Sequence, residues 1–285
     1  MAVYREDKLL KFYQNIINKY LEVLKRTPNI RSLYLPVQPG SEHPAEGVLY
    51  QEILPDARLQ DYIYCYWQLK TRYPLTSPFH YRVIADGCMD VYFELKEPDK
   101  SYVMGFTNSF VEFELAKTFN YVGVRFFPSM FPQLYKINAA ELSNRAVCLE
   151  NVLPVEAKFL ADSFSADLSL ADLKGLLDVH FLRHVSNIII DVDSRLYESI
   201  ELILQNGGTM SVEKELPQGI SVRQLRRLFE FYIGDTPKEF SRVVRFQKTL
   251  QAPEDYLNSG YYDQAHFIKE FKNLYGLTPG KALLK

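Results

Sequence analysis

The spacing of apolar residues changes in type along this chain, and it divides the chain into regions. Residues 8–26 carry apolar side chains at intervals of three and four, which predicts one amphipathic helix. Between about residues 48 and 124 the apolar runs become short or alternating, with Pro, Gly, Asp and Asn between them. That pattern predicts antiparallel β structure, in a compact barrel or sandwich. After residue 128 the helical spacing returns.

The part of the chain after residue 128 also carries signals for helix ends. Ser169 is a predicted N-cap, with Asp172 three residues later in the capping-box position. A further helix is predicted from Arg195 to about Asn206, capped by Ser194 and stopped by two glycines at 207–208. The other helical segments expected here are 132–135, 139–144, 155–164 and 169–185.

These patterns predict an α+β chain with a β-rich N-terminal domain, flanking helices and an all-α C-terminal domain. Residues 1–44 are expected to form the amphipathic helix and a breaker-rich linker. Residues 45–190 are expected to form a β-rich sensor or dimerisation domain that ends in helices, with a hinge at 188–194. Residues 191–285 form the C-terminal domain. The apolar stripe of the first helix is expected to pack on the next domain or on a second copy of the chain, which makes a homodimer a candidate assembly.

Two stretches near the C-terminus repeat one pattern, a turn followed by a helix. The first covers residues 221–229 and the second covers residues 260–271, and each is followed by Gly-x-Thr-Pro, at 234–237 and at 276–279. In both, apolar residues lie on one face, while Arg, Lys, Gln or His residues lie on the other. A repeated basic-faced helix is the geometry needed to reach two places along a DNA groove.

Charge supports this interpretation only locally. The whole chain has a net charge of −2, which provides no general attraction to nucleic acid. Between residues 221 and 250, however, the chain has seven basic and three acidic residues, which gives this segment a net charge of +4. A basic patch on an otherwise neutral chain is typical of a nucleic-acid footprint.

Other features of the sequence bear on its compartment. The three cysteines, Cys65, Cys88 and Cys148, fit neither a disulfide framework nor a zinc pattern. The N-terminus carries early acidic residues without a cleavable apolar segment, and no apolar run approaches ~18 residues. We therefore expect a cytoplasmic chain, with no membrane partner.

The repeated motifs resemble those of the AraC/XylS family of bacterial transcription regulators. The resemblance is carried by Ser221, Leu225, Arg227 and Phe229, by the linker-helix start at 240–247, and by the motif at 260–272 with the Gly-x-Thr-Pro that follows it. Upstream, segments 81–93, 123–128 and 139–144 resemble the β-rich N-terminal domain of one AraC subgroup, whose ligands are generally undefined.

The resemblance implies two helix-turn-helix units, joined by one long helix, that place their second helices in successive major-groove segments of double-stranded DNA. Arg suits guanine, Gln suits adenine, and Ala reaches only a thymine methyl group. Ser221 and Lys238 are better suited to phosphate contacts, and for His266 a structural role is the alternative. By position, the base-reading candidates are Arg223, Arg226 and Arg227 in the first unit and Gln264, Ala265, His266 and Lys269 in the second.

The function expected is a sequence-specific transcription regulator without catalytic residues or cofactor, controlled by a partner or a small-molecule effector of the N-terminal domain. Aromatic and arginine side chains mix in that domain, which makes a ligand pocket a hypothesis. The simpler interpretation of Asp86 and Asp90 is as turn and strand residues. The candidate pocket residues are Trp67, Arg82, Asp86, Tyr92 and Arg125.

A metal site is not predicted. His180 and His184 are four residues apart, but they lack the adjacent Glu and the acidic third ligand of a metal motif. We therefore expect both side chains on a helix surface. A metal-dependent enzyme on a β-barrel, a third hypothesis, is disfavoured because no clustered His/Glu set is present.

Two departures from the family pattern leave a second hypothesis open. The support segment 211–218 is one residue short and contains Pro217, and only residues 251–259 separate Leu250 from Gly260. A chain whose AraC-like end has lost specific DNA binding, and which acts as a ligand- or protein-binding module, would carry such departures.

Overall fold

Six separate ranges of the chain can be described. A computed structural model describes residues 30–38, 46–188, 190, 193–210, 219–253 and 260–283. The helix predicted at 8–26, the support segment 211–218 and residues 254–259 lie outside these ranges, and so does part of the predicted hinge at 188–194.

Antiparallel strands form the β-rich part of the chain. Six of the described strands make one sheet in the order β1-β2-β7-β4-β5-β8, and β3 pairs with β6 in a separate two-stranded sheet. Their bounds are β1 Val48–Ile53, β2 Ile63–Thr71, β3 Phe79–Val83, β4 Met89–Glu94, β5 Glu97–Met104, β6 Val111–Leu115, β7 Asn120–Phe126 and β8 Ala146–Cys148.

The two faces of the six-stranded sheet have different neighbours. Alternate residues of a strand point to opposite faces, so Val91 and Phe93 of β4 join the main core while Tyr92 joins a second cluster. The main core is completed by helices, whereas the second cluster includes Tyr81 from β3. One face of the sheet is therefore covered by helices, and the other faces the β3–β6 pair.

Helices make up most of the rest. Their bounds are α1 Ile30–Leu33, α2 Met130–Tyr135, α3 Pro154–Ser163, α4 Leu170–Ser186, α5 Ser194–Gln205, α6 Val222–Tyr232, α7 Pro237–Gln251, α8 Gln264–Tyr275 and α9 Pro279–Ala282. The α+β class predicted from the sequence is confirmed, with a β-rich N-terminal part and a helical C-terminal part.

Helix ends were predicted with mixed success. The capping box of Ser169 and Asp172 at the start of α4 is confirmed. The cap predicted for α5 is wrong, because Ser194 is its first residue and Asp193 Oδ1 accepts the N–H of Arg195 at 3.0 Å. The helix predicted at 139–144 is only a 3₁₀ turn at Ala139–Glu141, and Asn144 has a left-handed φ of 58° that no helix continues.

The surface position predicted for His180 and His184 is also wrong. Both side chains are largely covered, because α4 packs them against α3, where His180 Nε2 lies 2.5 Å from Glu156 Oε2. The His180 ring stacks on Phe159 and the His184 ring on Tyr135. Burial lowers the pKa of His184. Within the described ranges, no group of three His, Cys, Asp or Glu side chains has a geometry that would hold a metal ion.

The β-rich and helical parts share a continuous interior. A single cluster of buried side chains runs from Ile30 in α1, through the sheet, to Leu274 in α8. The domain limits drawn from the sequence stay a prediction. Among the described helices, none is both long and apolar enough to cross a bilayer.

Candidate nucleic-acid interface and effector cavity

Helix α6 combines a fixed start, a buried underside and a basic outer face. Ser221 Oγ accepts the N–H of Gln224 at 3.3 Å, and Gln224 Oε1 accepts the N–H of Ser221 at 3.0 Å, a reciprocal capping box. Leu225 and Phe229 are buried. The remaining face is exposed and carries Arg223, Arg226 and Arg227.

Helix α8 has the same construction with different chemistry. Asp263 Oδ1 caps it by accepting the N–H of His266 at 2.7 Å. Phe267, Phe271 and Leu274 form its buried underside. Its exposed face carries the second set of sequence-predicted residues, Gln264, Ala265, His266 and Lys269.

Helix α7 comes between α6 and α8 in the chain, and one of its side chains bonds to α8. Arg245 Nη2 donates to Glu270 Oε1 of α8 at 2.8 Å, and its guanidinium lies 4.8 Å from the centre of the Tyr261 ring. Arg242 pairs with Glu239 within α7. Among the ion pairs described, Arg242 and Arg245 have carboxylate partners inside the protein, while Lys238 and Lys248 are exposed.

Two residues near the start of α8 differ from the simple expectation. The imidazole of His266 accepts the N–H of Tyr262 through Nδ1 at 3.3 Å and lies 3.5 Å from Glu270 Oε2 through Nε2, so it takes part in the helix start. Tyr262 was not predicted as a site residue, yet it is 92% exposed. The sequence offered one signal for Tyr262, since it is an aromatic residue next to the helix cap Asp263 and does not belong to the apolar face of α8.

A cavity of about 300 Å³ lies between the six-stranded sheet and the β3–β6 pair. Three of the predicted pocket residues, Trp67, Tyr92 and Arg125, line it. The indole of Trp67 lies directly on Gly123 of β7, where a Cβ atom would come within 2.2 Å of the ring. The other aromatic lining residues are Tyr81, Tyr102, Phe113 and Tyr121.

The polar end of the cavity is an ionic cluster around Arg125. The Arg125 side chain is 2% exposed and binds Asp90 in bidentate fashion, with Nε–Oδ1 and Nη2–Oδ2 distances of 3.1 and 3.0 Å. Asp86 Oδ2 lies 3.4 Å from Nε, and Glu52 Oε1 lies 3.6 Å from Nη1. Trp67 Nε1 also donates to Asp90, at 3.1 Å.

Burial controls the proton affinities in this cluster. Burial raises the pKa of Asp90 to about 6; Arg125 lowers that pKa, and the charge of Asp86 raises it further. Burial opposes the charge of Arg125, but Asp90 and Asp86 help to raise the pKa of Arg125 well above its usual range. Burial also raises the pKa of the Cys65 and Cys88 thiols.

Two predicted pocket residues lie outside the cavity wall. Asp86 is in the β3–β4 loop (residues 84–88) and reaches the cavity through Arg125. Arg82 on β3 pairs with Glu112 of β6 at 2.8 Å, and its guanidinium lies 5.5 Å from the centre of the Phe110 ring.

The β3–β4 loop also contacts the helices that carry the basic faces. Ala85 donates its N–H to Leu274 O of α8 at 3.4 Å, and Ala85 O accepts Gln247 Nε2 of α7 at 2.8 Å. At Gly87, with φ 71°, a Cβ atom would lie 3.2 Å from the Phe240 ring of α7. One five-residue loop thus lies between the cavity cluster and both α7 and α8.

Buried amides fix this arrangement, and the sequence analysis missed them. Gln247 is 0% exposed; its Oε1 accepts Val37 N at 2.7 Å, and its Nε2 donates to Val37 O and Ala85 O. Gln38 donates to Asp86 Oδ2 at 2.8 Å and to Ile84 O at 2.9 Å. The sequence offered one signal for these contacts, since Gln247 is an amide residue among the apolar positions on the buried face of α7.

Comparison with known proteins adds two findings. Residues 51–148 match the model of a domain of unknown function, DUF6597. No curated protein matches the chain.

Solved structures of ToxT from Vibrio cholerae, an AraC-family regulator, also match. An apo variant shares 16% identity over 76% of this chain and 96% of that chain, with a TM-score of 0.38. A second structure shares 13% identity over 84% of this chain and 97% of that chain, with a TM-score of 0.38. A form with bound unsaturated fatty acid shares 14% identity over 75% of this chain and 97% of that chain, with a TM-score of 0.36. This likeness is weak, so the proposals below rest on the geometry of this chain.

Proposed function

We propose that this chain is a sequence-specific DNA-binding transcription regulator that reads successive major-groove segments with α6 and α8. The observation that carries the proposal is the repeated construction of these helices, each with a capped start, a buried aromatic underside and an exposed hydrogen-bonding face. Helices capped and packed in this way hold their outer side chains in a fixed orientation, which base recognition requires.

Each exposed residue type has a role that its chemistry supports. Arg223, Arg226 and Arg227 provide guanidinium groups for guanine O6 and N7. Gln264 suits adenine, and Lys269 suits guanine or a phosphate. Lys238, exposed in the first turn of α7, and Ser221 at the start of α6 are proposed to contact phosphates.

Control by a small molecule is the second part of the proposal. A ligand in the cavity would meet Arg125 and Asp90, and through Arg125 it would act on Asp86 in the β3–β4 loop. That loop bonds to α7 through Gln247 and to α8 through Leu274. A shift of the loop therefore changes the support of both helices, which gives the cavity a direct route to the DNA-reading surface.

The test is selection of duplexes from a random DNA pool by the full-length protein at about 0.15 M salt, where pure phosphate attraction is suppressed. The expected result is enrichment of two motifs about one helical turn apart. A single enriched motif would restrict recognition to one helix. No enrichment would contradict the proposal and favour the module that has lost specific DNA binding.

A matched pair of variants makes the selection specific. The double variant Arg223→Ala/Arg227→Ala is expected to lose one of the two motifs. Arg58→Ala is the control, since it removes an arginine that is also exposed but lies in the β-rich part, where it pairs only with Asp56 among the ion pairs described. Equal loss of enrichment in both variants would point to general charge attraction.

A further inference from the structure

The effector cavity has an excess of negative groups. Among the described residues that line it, Arg125 carries the one positive charge, while Asp90 and Glu114 are acidic. Asp86 and Glu52 also lie within 4 Å of the same guanidinium. Three carboxyl groups thus lie within 4 Å of one guanidinium, and a ligand with its own negative charge would add to this imbalance.

The walls of the cavity are aromatic. Tyr92 is central, with its ring centre 5.5 Å from that of Tyr102, 6.3 Å from that of Trp67 and 6.4 Å from those of Phe113 and Tyr121. The faces of such rings carry negative electrostatic potential and attract cations, and trimethylammonium groups are often bound in this way. Aromatic walls beside surplus carboxylates favour a ligand that is both apolar and positively charged.

The proton affinity of Asp90 supports the same conclusion. The groups that face its carboxyl are Arg125 from β7, Trp67 from β2 and Asp86 from the β3–β4 loop. Burial, with the further effect of Asp86, raises the pKa of Asp90 even though Arg125 opposes the rise. Arg125 therefore does not fully offset the effect of burial on Asp90, and a ligand cation would lower the pKa of Asp90 towards its usual value.

We infer that the cavity binds a small organic cation, an amine or quaternary ammonium compound with an apolar group, whose charge lies towards Asp90 and whose apolar part lies among the rings around Tyr92. This inference rests on the proposed function, since it names the ligand class of the effector cavity. The volume of about 300 Å³ lies at the lower end of the range for ligand pockets, so the cavity suits a small ligand.

The chain contains its own reporter for this site. Trp67 is the single tryptophan of the sequence, and it lines the cavity, so tryptophan fluorescence of the full-length protein reports on cavity occupancy. Three probes of similar size separate charge from shape: phenyltrimethylammonium, its neutral isostere tert-butylbenzene and the anion benzenesulfonate. Calorimetric titration of the same probes gives their affinities independently of quenching.

The expected result is that phenyltrimethylammonium binds about tenfold tighter than tert-butylbenzene, a ratio typical of a desolvated cation–π contact. Benzenesulfonate is expected to be the weakest of the three. Equal affinity for cation and isostere, tightest binding of the anion, or binding of none of the probes would each overturn the inference.

Two variants assign the effect to named groups. Asp90→Asn is expected to remove most of the preference for the cation, whereas Glu97→Gln, a carboxyl-to-amide change at an exposed site outside the cavity wall, is expected to leave it unchanged. Tyr92→Leu keeps an apolar wall and removes the ring, so it should weaken the cation and spare the isostere. Because Tyr92→Leu leaves the ionic cluster in place, it keeps the test valid if Asp90→Asn fails to fold.

Failure of this inference can be told apart from failure of the proposed function. The DNA selection uses no probe, so enrichment without cation preference would keep the regulator and reject the ligand class. Cation preference without enrichment would keep the ligand class and reject DNA reading.

Discussion

Helices α6 and α8 follow one plan and differ in what they expose. Both start at a side-chain cap, bury aromatic residues and end before a glycine with positive φ, Gly234 at 106° and Gly276 at 89°. On the outer face, α6 has arginines, whereas α8 has a glutamine, an alanine, a histidine and a lysine. The common plan serves packing, and we propose that the difference divides the work of binding, with three guanidinium groups in α6 and one amide and one lysine among the candidates in α8.

The two helices also differ in how they meet the β-rich part. After α6, Gly234 O accepts Ser143 Oγ at 2.5 Å, and Asp235 accepts Asn108 Nδ2 at 3.1 Å. The end of α8 instead bonds directly to the β3–β4 loop, through Leu274. The route proposed from the cavity thus meets α8 directly at Leu274, whereas the described hydrogen bonds after α6 go to Asn108 and Ser143, outside the β3–β4 loop.

The common plan is tested most strongly by its buried aromatic residues. Phe229 and Phe271 are both 0% exposed, so Phe229→Ala and Phe271→Ala should each lower the free energy of unfolding by about 3–5 kcal/mol. Urea unfolding monitored by circular dichroism measures both. Phe231→Ala is the control, since that side chain is 36% exposed and a much smaller loss is expected. A small loss at Phe271 alone would show that α8 is not packed like α6.

The stability of helix α7, which comes between α6 and α8 in the chain, is expected to depend on Gln247. Replacing this buried amide by leucine, Gln247→Leu, leaves backbone groups of Val37 and Ala85 without partners, each at a cost of about 1–3 kcal/mol. The same unfolding assay applies. Gln205→Leu, at an exposed glutamine of α5, should change stability little. Equal effects at the two positions would contradict the role given to the buried amide.

The difference between the outer faces predicts different binding losses. Arg223→Ala or Arg227→Ala should weaken binding to a selected operator by about 1–3 kcal/mol and reduce its dependence on salt. Gln264→Ala should cost about 1–3 kcal/mol at one base pair and leave the salt dependence unchanged, because a neutral side chain releases no counterions. Titrations of labelled operator at several salt concentrations measure both quantities. An altered salt dependence in Gln264→Ala would break the division proposed between the helices.

The smallest expected effects concern the helix starts. Ser221→Ala in α6 and Asp263→Ala in α8 each remove a side-chain acceptor from a helix N-terminus and should cost about 1 kcal/mol of stability. If Ser221 also contacts a phosphate, Ser221→Ala will weaken DNA binding by more than its folding loss explains. Thermal unfolding with and without operator separates the two contributions. A loss of stability without a loss of affinity would leave Ser221 as a cap alone.

Local patterns predicted much of the helical part. The capping box of Ser169 and Asp172 in α4, and the apolar face of 221–229 that contains the buried Leu225 and Phe229, depend on residues close in sequence, so periodicity and cap chemistry were sufficient. The support segments of both units lie outside the described residues, and the DNA-contact roles stay predictions.

Contacts between distant segments could not be predicted in this way. Gln247 and Val37 are 210 residues apart in the chain, and no local pattern pairs them. His180 was expected on a surface because its own helix showed only an i, i+4 spacing, whereas α3 supplies the Glu156 and Phe159 that cover it. Strand β6, Val111–Leu115, lies inside the predicted β-rich region, but its pairing with β3 in a separate sheet could not be predicted from its own alternating residues.

The contacts of the β3–β4 loop predict which of its positions would tolerate substitution in a mutational scan. At Ala85 the contacts with α7 and α8 are made by main-chain N–H and C=O groups, which every residue except proline provides in full. Ala85 is also 0% exposed, so a scan would record a limit on side-chain size at this position and give no sign of the two hydrogen bonds. Gly87 is the exception, because a side chain there would strain a φ of 71° and press on Phe240. If the proposed route from the cavity runs through this loop, its main-chain contacts at Ala85 can persist while the side chain at that position changes.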